Sequence, residues 1–112
     1  MLVSLGKVTI ATPGVLKRAT ENNAVPSSRF LCHSVMIEVW PENSGKIYIC
    51  DRSDADKSTG YGLVAILGIP TENSMPSFVD TITGAIAGIN LELLWIDSEV
   101  GGDGVIVSAE VP

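Results

Sequence analysis

The sequence predicts an all-β domain, a β-sandwich or jelly-roll-like fold of seven to eight antiparallel strands, and three observations predict it. Short apolar runs rich in Val, Ile and Thr alternate with polar residues, the two-residue period of a half-buried strand. Clusters of Gly, Pro, Asn and Ser cut these runs at intervals. No alternation of strands with helical segments and no internal repeat interrupts the pattern. With 112 residues, 46% of them hydrophobic, one core suffices. A single domain over 1–112 is expected, with about the first 29 residues an arm or a loosely packed edge.

The first strand is expected over Leu2 to Ile10, ended by the turn Ala11-Thr12-Pro13-Gly14. Val15 to Ala24 has room for one helical turn before Asn22, Asn23 and Pro26 stop it. Phe30 to Trp40 is the clearest strand: Leu31, His33, Val35, Ile37 and Val39 share the inward face, and Cys32, Ser34, Met36, Glu38 and Trp40 the other. Asn43-Ser44-Gly45 reads as a hairpin loop leading into the return strand Lys46 to Cys50, which sets Trp40 opposite Tyr48, Val39 opposite Ile49 and Glu38 opposite Cys50. In that register Cys32 and Cys50 lie roughly 20 Å apart along the strand rise, beyond the disulfide limit of about 7 Å between Cα atoms. Two free thiols are expected.

Asp51 to Gly62 follows as a long polar loop, and Leu63 to Ile69 as an apolar strand closed by Pro70. Ser77 to Ile82 and Ile89 to Asp97 are further strands. In the latter, Leu91, Leu93 and Trp95 stand opposite Glu92, Leu94 and Ile96, so both faces are apolar and both need cover, from a second sheet or a neighbouring subunit. Val100 to Gly104 is a glycine-rich turn. Val105 to Val111 closes the domain with Val105, Val107, Ala109 and Val111 on one face.

Several function classes recede on composition. The net charge is −6 and the seven Lys and Arg are scattered, whereas nucleic-acid binding draws on clustered cations. No stretch approaches the about 20 apolar residues of a membrane span, and no leader pattern is visible, so a protein made in a cytoplasm is expected, with no membrane partner. Two cysteines are too few for a disulfide scaffold or a common zinc site. Only 18% of residues are charged, a neutral surface of the kind that hides against partner subunits.

Candidate chemistry is sparse. Asp54, Asp56 and Ser58 have the alternating spacing of calcium-loop oxygens, but Thr59 stands where such a loop needs Gly, Ala65 where it needs a bidentate Glu, and Arg52 and Lys57 cancel charge. His33 is the only histidine. Alternation turns Cys32 and Ser34 to the opposite face from it, so neither can serve it as a nucleophile. Gly101-Gly102-Asp103-Gly104 lacks the Lys and helix of a phosphate cradle. No catalysis, metal or cofactor is expected. Trp40, Tyr48, Tyr61 and Trp95 serve as core, subunit interface or a sugar-binding surface.

From about Val35 to Ser108 the chain resembles a loose group of short bacteriophage virion proteins, found among small head and head-decoration proteins. The pieces carrying the resemblance are Asn43-Ser44-Gly45-Lys46-Ile47-Tyr48-Ile49, the polar loop ending Thr59-Gly60-Tyr61-Gly62, Leu93-Leu94-Trp95-Ile96-Asp97, and Gly101-Gly102-Asp103-Gly104-Val105. The resemblance implies a capsid cement or decoration protein on the outer surface of a virion, clamping neighbouring major capsid proteins, often as a homotrimer, and folded in the host cytoplasm. The alternative is a carbohydrate-binding head-fibre or lectin-like module. The partner contacts expected are Met36, Trp40 and Tyr48 on the outward face of the first hairpin, and Leu94 and Ile96 on the second apolar face of the late strand.

Overall fold

The computed structural model describes residues 2–21, 31–32, 34–69, 79–83, 89–90 and 93–110. Among these residues ten strands appear in chain order: β1 (Leu2–Thr9), β2 (Lys17–Arg18), β3 (Leu31–Cys32), β4 (Ser34–Val39), β5 (Ile47–Cys50), β6 (Leu63–Leu67), β7 (Val79–Thr83), β8 (Ile89–Asn90), β9 (Trp95–Ser98) and β10 (Gly104–Glu110). Eight of them form two four-stranded sheets, ordered β1-β10-β4-β7 and β2-β9-β5-β6, and β3 pairs with β8. The fold is the expected all-β sandwich.

Its wrapping is set by one rule of pairing. β1 pairs with β10, β2 with β9, β3 with β8, β4 with β7 and β5 with β6, all antiparallel. The chain is therefore one long ribbon folded back on itself at the loop between β5 and β6. Two further pairings, β10 with β4 and β5 with β9, roll that ribbon into facing sheets. This is the double-sheet jelly roll, the expected architecture in its more specific form.

Alternation explains the core. Val35, Ile37 and Val39 of β4 and Val105, Val107 and Ala109 of β10 point inward from the first sheet, and Ile47, Ile49, Leu67 and Ile96 meet them from the second; none is more than 2% exposed. Each Val, Ile or Leu side chain so withdrawn from water contributes roughly 1.5–3 kcal/mol. In β1 the inward positions run Val3, Leu5, then Val8 and Ile10, a change of phase from odd to even. A β-bulge between Ser4 and Gly6 absorbs it, with Gly6 at φ 81°. A residue with a Cβ is strained there, and glycine is not.

The structure corrects four expectations. β4 and β5 are not a hairpin: β4 lies between β10 and β7, and β5 lies in the other sheet between β9 and β6. Residues 40–46 are a crossing between sheets, because Val35, Ile37 and Val39 reach the core from one side and Ile47 and Ile49 from the other. The register pairing Trp40 with Tyr48 is absent, and the spacing argument for Cys32 and Cys50 loses its basis. The run from Ile89 to Asp97 is not one strand either, since β8 joins β3 while β9 joins β2 and β5. Residues 2–10 are no arm, because Leu5, Val8 and Ile10 are core residues and β1 is hydrogen-bonded along β10. Finally, Val15 to Glu21 holds no helical turn; it contains β2 and ends in a turn. His33, residues 22–30 and the side chain of Cys32 lie outside the described residues.

Candidate binding surfaces

Because both sheets turn one face to the shared core, their other faces look away from each other. The outer face of the first sheet carries Lys7, Met36, Glu38 and Ile106, where register sets Lys7 beside Ile106 and Ile106 beside Glu38. Met36 is 44% exposed. Trp40, just beyond β4, is half-buried and has Lys7 Nζ 4.0 Å from its ring centroid. The outer face of the second sheet carries Tyr48, Val64, Ile66, Trp95 and Asp97, with Tyr48 between Asp97 and Ile66. The five expected contacts thus separate. Met36 and Trp40 stand on one outer face and Tyr48 on the opposite one. Leu94 and Ile96, 6% and 0% exposed, are a correction: they belong to this chain's own core, since the alternation that puts Trp95 outside puts both of them inside.

Over the second sheet the loop between β5 and β6, residues 51–62, folds back along the outer face. Lys57 holds it there. Its ammonium donates to the Ser98 carbonyl at 2.6 Å, lies 3.4 Å from Asp97 Oδ2, and stands 5.6 Å from the Tyr48 ring centroid. Asp97 is buried, and its Oδ1 accepts from the amides of Gly14 and Ser98, each at 2.8 Å. A buried carboxylate is costly unless paired and hydrogen-bonded, and this one is both. Within the loop Asp56 accepts from the Ser58 amide and hydroxyl, and these bonds hold its carboxyl below the usual carboxylate range. The Arg52 guanidinium does the same to Asp51 and also donates to the Tyr61 hydroxyl at 2.9 Å. Of the residues at calcium-ligand spacing in sequence, Asp56 and Ser58 are thus bonded to each other within the loop. Among the described residues no group of three His, Cys, Asp or Glu is placed to hold a metal ion.

At the end where the sheets are crossed, two turns are latched together. Asp103, 5% exposed, accepts from the amides of Ser44 and Gly45, the latter at 2.8 Å. Asn43 both donates to the Gly104 carbonyl at 2.8 Å and accepts from its amide at 2.9 Å. A Cβ on Gly45 would sit 2.8 Å from Val100 Cγ2, so glycine allows the close approach. The glycine-rich turn is therefore structural.

Each tryptophan and tyrosine in the chain has a cation over its ring: Lys7 on Trp40, Arg18 on Trp95 at 5.0 Å, Arg52 on Tyr61 at 4.7 Å and Lys57 on Tyr48. Sequence alternation gave no sign of this, because two of the four pairs join segments distant in the chain and the other two are made through the loop after β5. Cys50 is a free, buried thiol, and desolvation, with the nearby Asp97 and Asp51 charges, pushes its pKa up to about 11. Such a thiol is a poor nucleophile at neutral pH. Among the described residues, the exposed large apolar side chains of the strands' outer faces are Met36 on one side and, on the other, Val64 and Ile66 of β6, 51% and 54% exposed; Val15, Tyr61, Leu93 and Val100 are exposed outside the strands.

Comparisons with protein-family models, with curated proteins and with solved structures each find no match to this chain.

Proposed function

We propose that this chain is a virion structural protein of the bacteriophage capsid cement or decoration type, which binds neighbouring major capsid proteins on the outer surface of the head. The observation that carries the reading is the jelly-roll wrapping of the ribbon, an architecture used by viral capsid and lectin domains. Three features accompany it. Asn43, Asp103 and Lys57 are engaged in internal latches, while Met36, Val64 and Ile66 stand exposed on the outer faces as contact-forming positions. The acidic net charge keeps an outer protein away from packaged nucleic acid. A buried, unreactive Cys50 suits a protein folded in a reducing cytoplasm.

Met36 and Trp40, beside Lys7, form the capsid-facing contact in this reading. The lectin alternative is weaker, because sugars stack on open ring faces and each Trp and Tyr ring here already has a cation over it. Cryo-electron microscopy of virions from the phage that encodes the chain tests the proposal. Density for the jelly roll over junctions between major capsid proteins is expected, lost from particles carrying Met36→Lys. Absence of the chain from purified virions by mass spectrometry overturns it, and so does binding to a host-glycan array with no attachment to heads.

A further inference from the structure

We propose that the outer side of β6 is a contact between two copies of this chain, with the two β6 strands antiparallel about a two-fold axis at Ala65. Leu63–Leu67 carries no charged residue. Its outward side chains Val64 and Ile66 are each more than half exposed, and Ile66 continues into Tyr48 of the neighbouring strand. β6 lies at the end of its sheet, and among the described residues its only strand partner is β5. Natural edge strands are commonly guarded by a Lys, a Pro or an inward-pointing charge; β6 has none of these.

Charge identifies the occupant. Two chains of net charge −6 repel across most of their surfaces, so a self-contact is favoured where the touching residues carry no charge, and β6 is such a place. An acidic partner would need free cations beside the strip, but Arg52 and Lys57 of the overlying loop are paired with Asp51 and Asp97. A neutral apolar strand is complementary to another of its kind. Antiparallel pairing about Ala65 sets Val64 of each copy opposite Ile66 of the other, twice over, and the contact is self-complementary as a two-fold interface requires. It yields a dimer, in place of the trimer expected through Leu94 and Ile96. The strip is short beside the roughly 800 Å² per partner of a standard interface, so the dimer is reversible. The inference stands apart from any role on a capsid.

Sedimentation velocity of the purified chain between about 10 µM and 1 mM tests it. The wild type is expected to pass from monomer towards dimer over that range. Val64→Lys/Ile66→Lys, which makes the chain less acidic and should otherwise favour association, is expected to stay monomeric with an unchanged melting temperature. Met36→Lys, on the opposite face, should dimerise like the wild type. A wild type that is monomeric throughout overturns the proposal, as does a double variant that associates as the wild type does, or an oligomer broken by Met36→Lys. Should circular dichroism show the double Lys variant unfolded, Val64→Thr/Ile66→Thr, which keeps the branched shape, gives the same readout.

Discussion

Asp103 Oδ2 accepts a hydrogen bond from the amide of Gly45 at 2.8 Å, joining two turns 58 residues apart. The two turns are the crossing from β4 to β5 and the turn from β9 to β10, so this contact closes one end of the sandwich. Asp103→Ala leaves the Gly45 amide buried without an acceptor, and a loss of about 2 kcal/mol is expected from urea unfolding. Asn43→Ala should cost a similar amount, and the double variant less than the sum, since both residues serve one network.

The crossing was the least legible part of the fold. Alternation turned Val35, Ile37 and Val39 inward and put Val105, Val107 and Ala109 on one shared face, all of them core residues, and it pointed to a sandwich or jelly roll. It does not tell whether two successive inward faces belong to the same sheet or to opposite ones. Asn43-Ser44-Gly45 satisfies a hairpin loop as well as a crossing; the residues that decide between them, Asp103 and Gly104, are remote in sequence. Leu94 and Ile96 failed for the same reason, since a strand that needs cover on two faces looks alike whether the cover is a partner or the rest of the chain. One signal was present and readable: the switch of apolar phase around Gly6, which marks the bulge in β1.

Lys57→Met is expected to loosen the loop over the second sheet. Asp97 keeps its two amide donors but loses its cation, and because Lys57 is 27% exposed the cost should fall below the ~3–5 kcal/mol of breaking a fully buried pair. Hydrogen exchange should rise at the loop amides of Gly60 and Leu63, with the amides of β10 unchanged. Equal protection in variant and wild type would show that Lys57 does not hold the loop.

The Cys50 thiol sets a limit on stability in alkali. Its folded pKa, about 11, lies above the ordinary 9.0, so above pH 9 the unfolded chain gives up the proton more readily than the folded one. Stability is therefore lost as pH rises from 9 towards 11, with a slope of at most ~1.4 kcal/mol per unit from this group. Cys50→Ala should remove that part of the slope, read from urea midpoints at pH 8 and pH 10. In the folded wild type at pH 8, the Cys50 thiol should react with a disulfide reagent only as fast as the fold opens.

Asp56 is set the other way. The Ser58 amide and hydroxyl favour its charged form and hold its pKa under 3.8, so the loop contacts are complete above that value and are lost as pH falls through the depressed one. Carboxyl carbon shifts followed by NMR should place its titration below the ordinary 3.8. Ser58→Ala should move it up towards 3.8, and an unmoved midpoint would mean that the hydroxyl contributes nothing.

The nested order of strand pairs favours an order of events when the chain folds. Only β5 and β6 are near neighbours along the sequence; each pair outward from them spans a longer stretch, until β1 meets β10 across almost the whole molecule. Closing the outermost pair first would cost the most chain entropy, whereas each inner pair, once formed, shortens the gap that the next has to bridge. The protein is thus built like a zip drawn from the fold of the ribbon towards its ends. A change that weakens the β5–β6 bend, such as a Cβ on Gly62 at φ 74°, should slow its assembly more than an equally destabilising change at the ends.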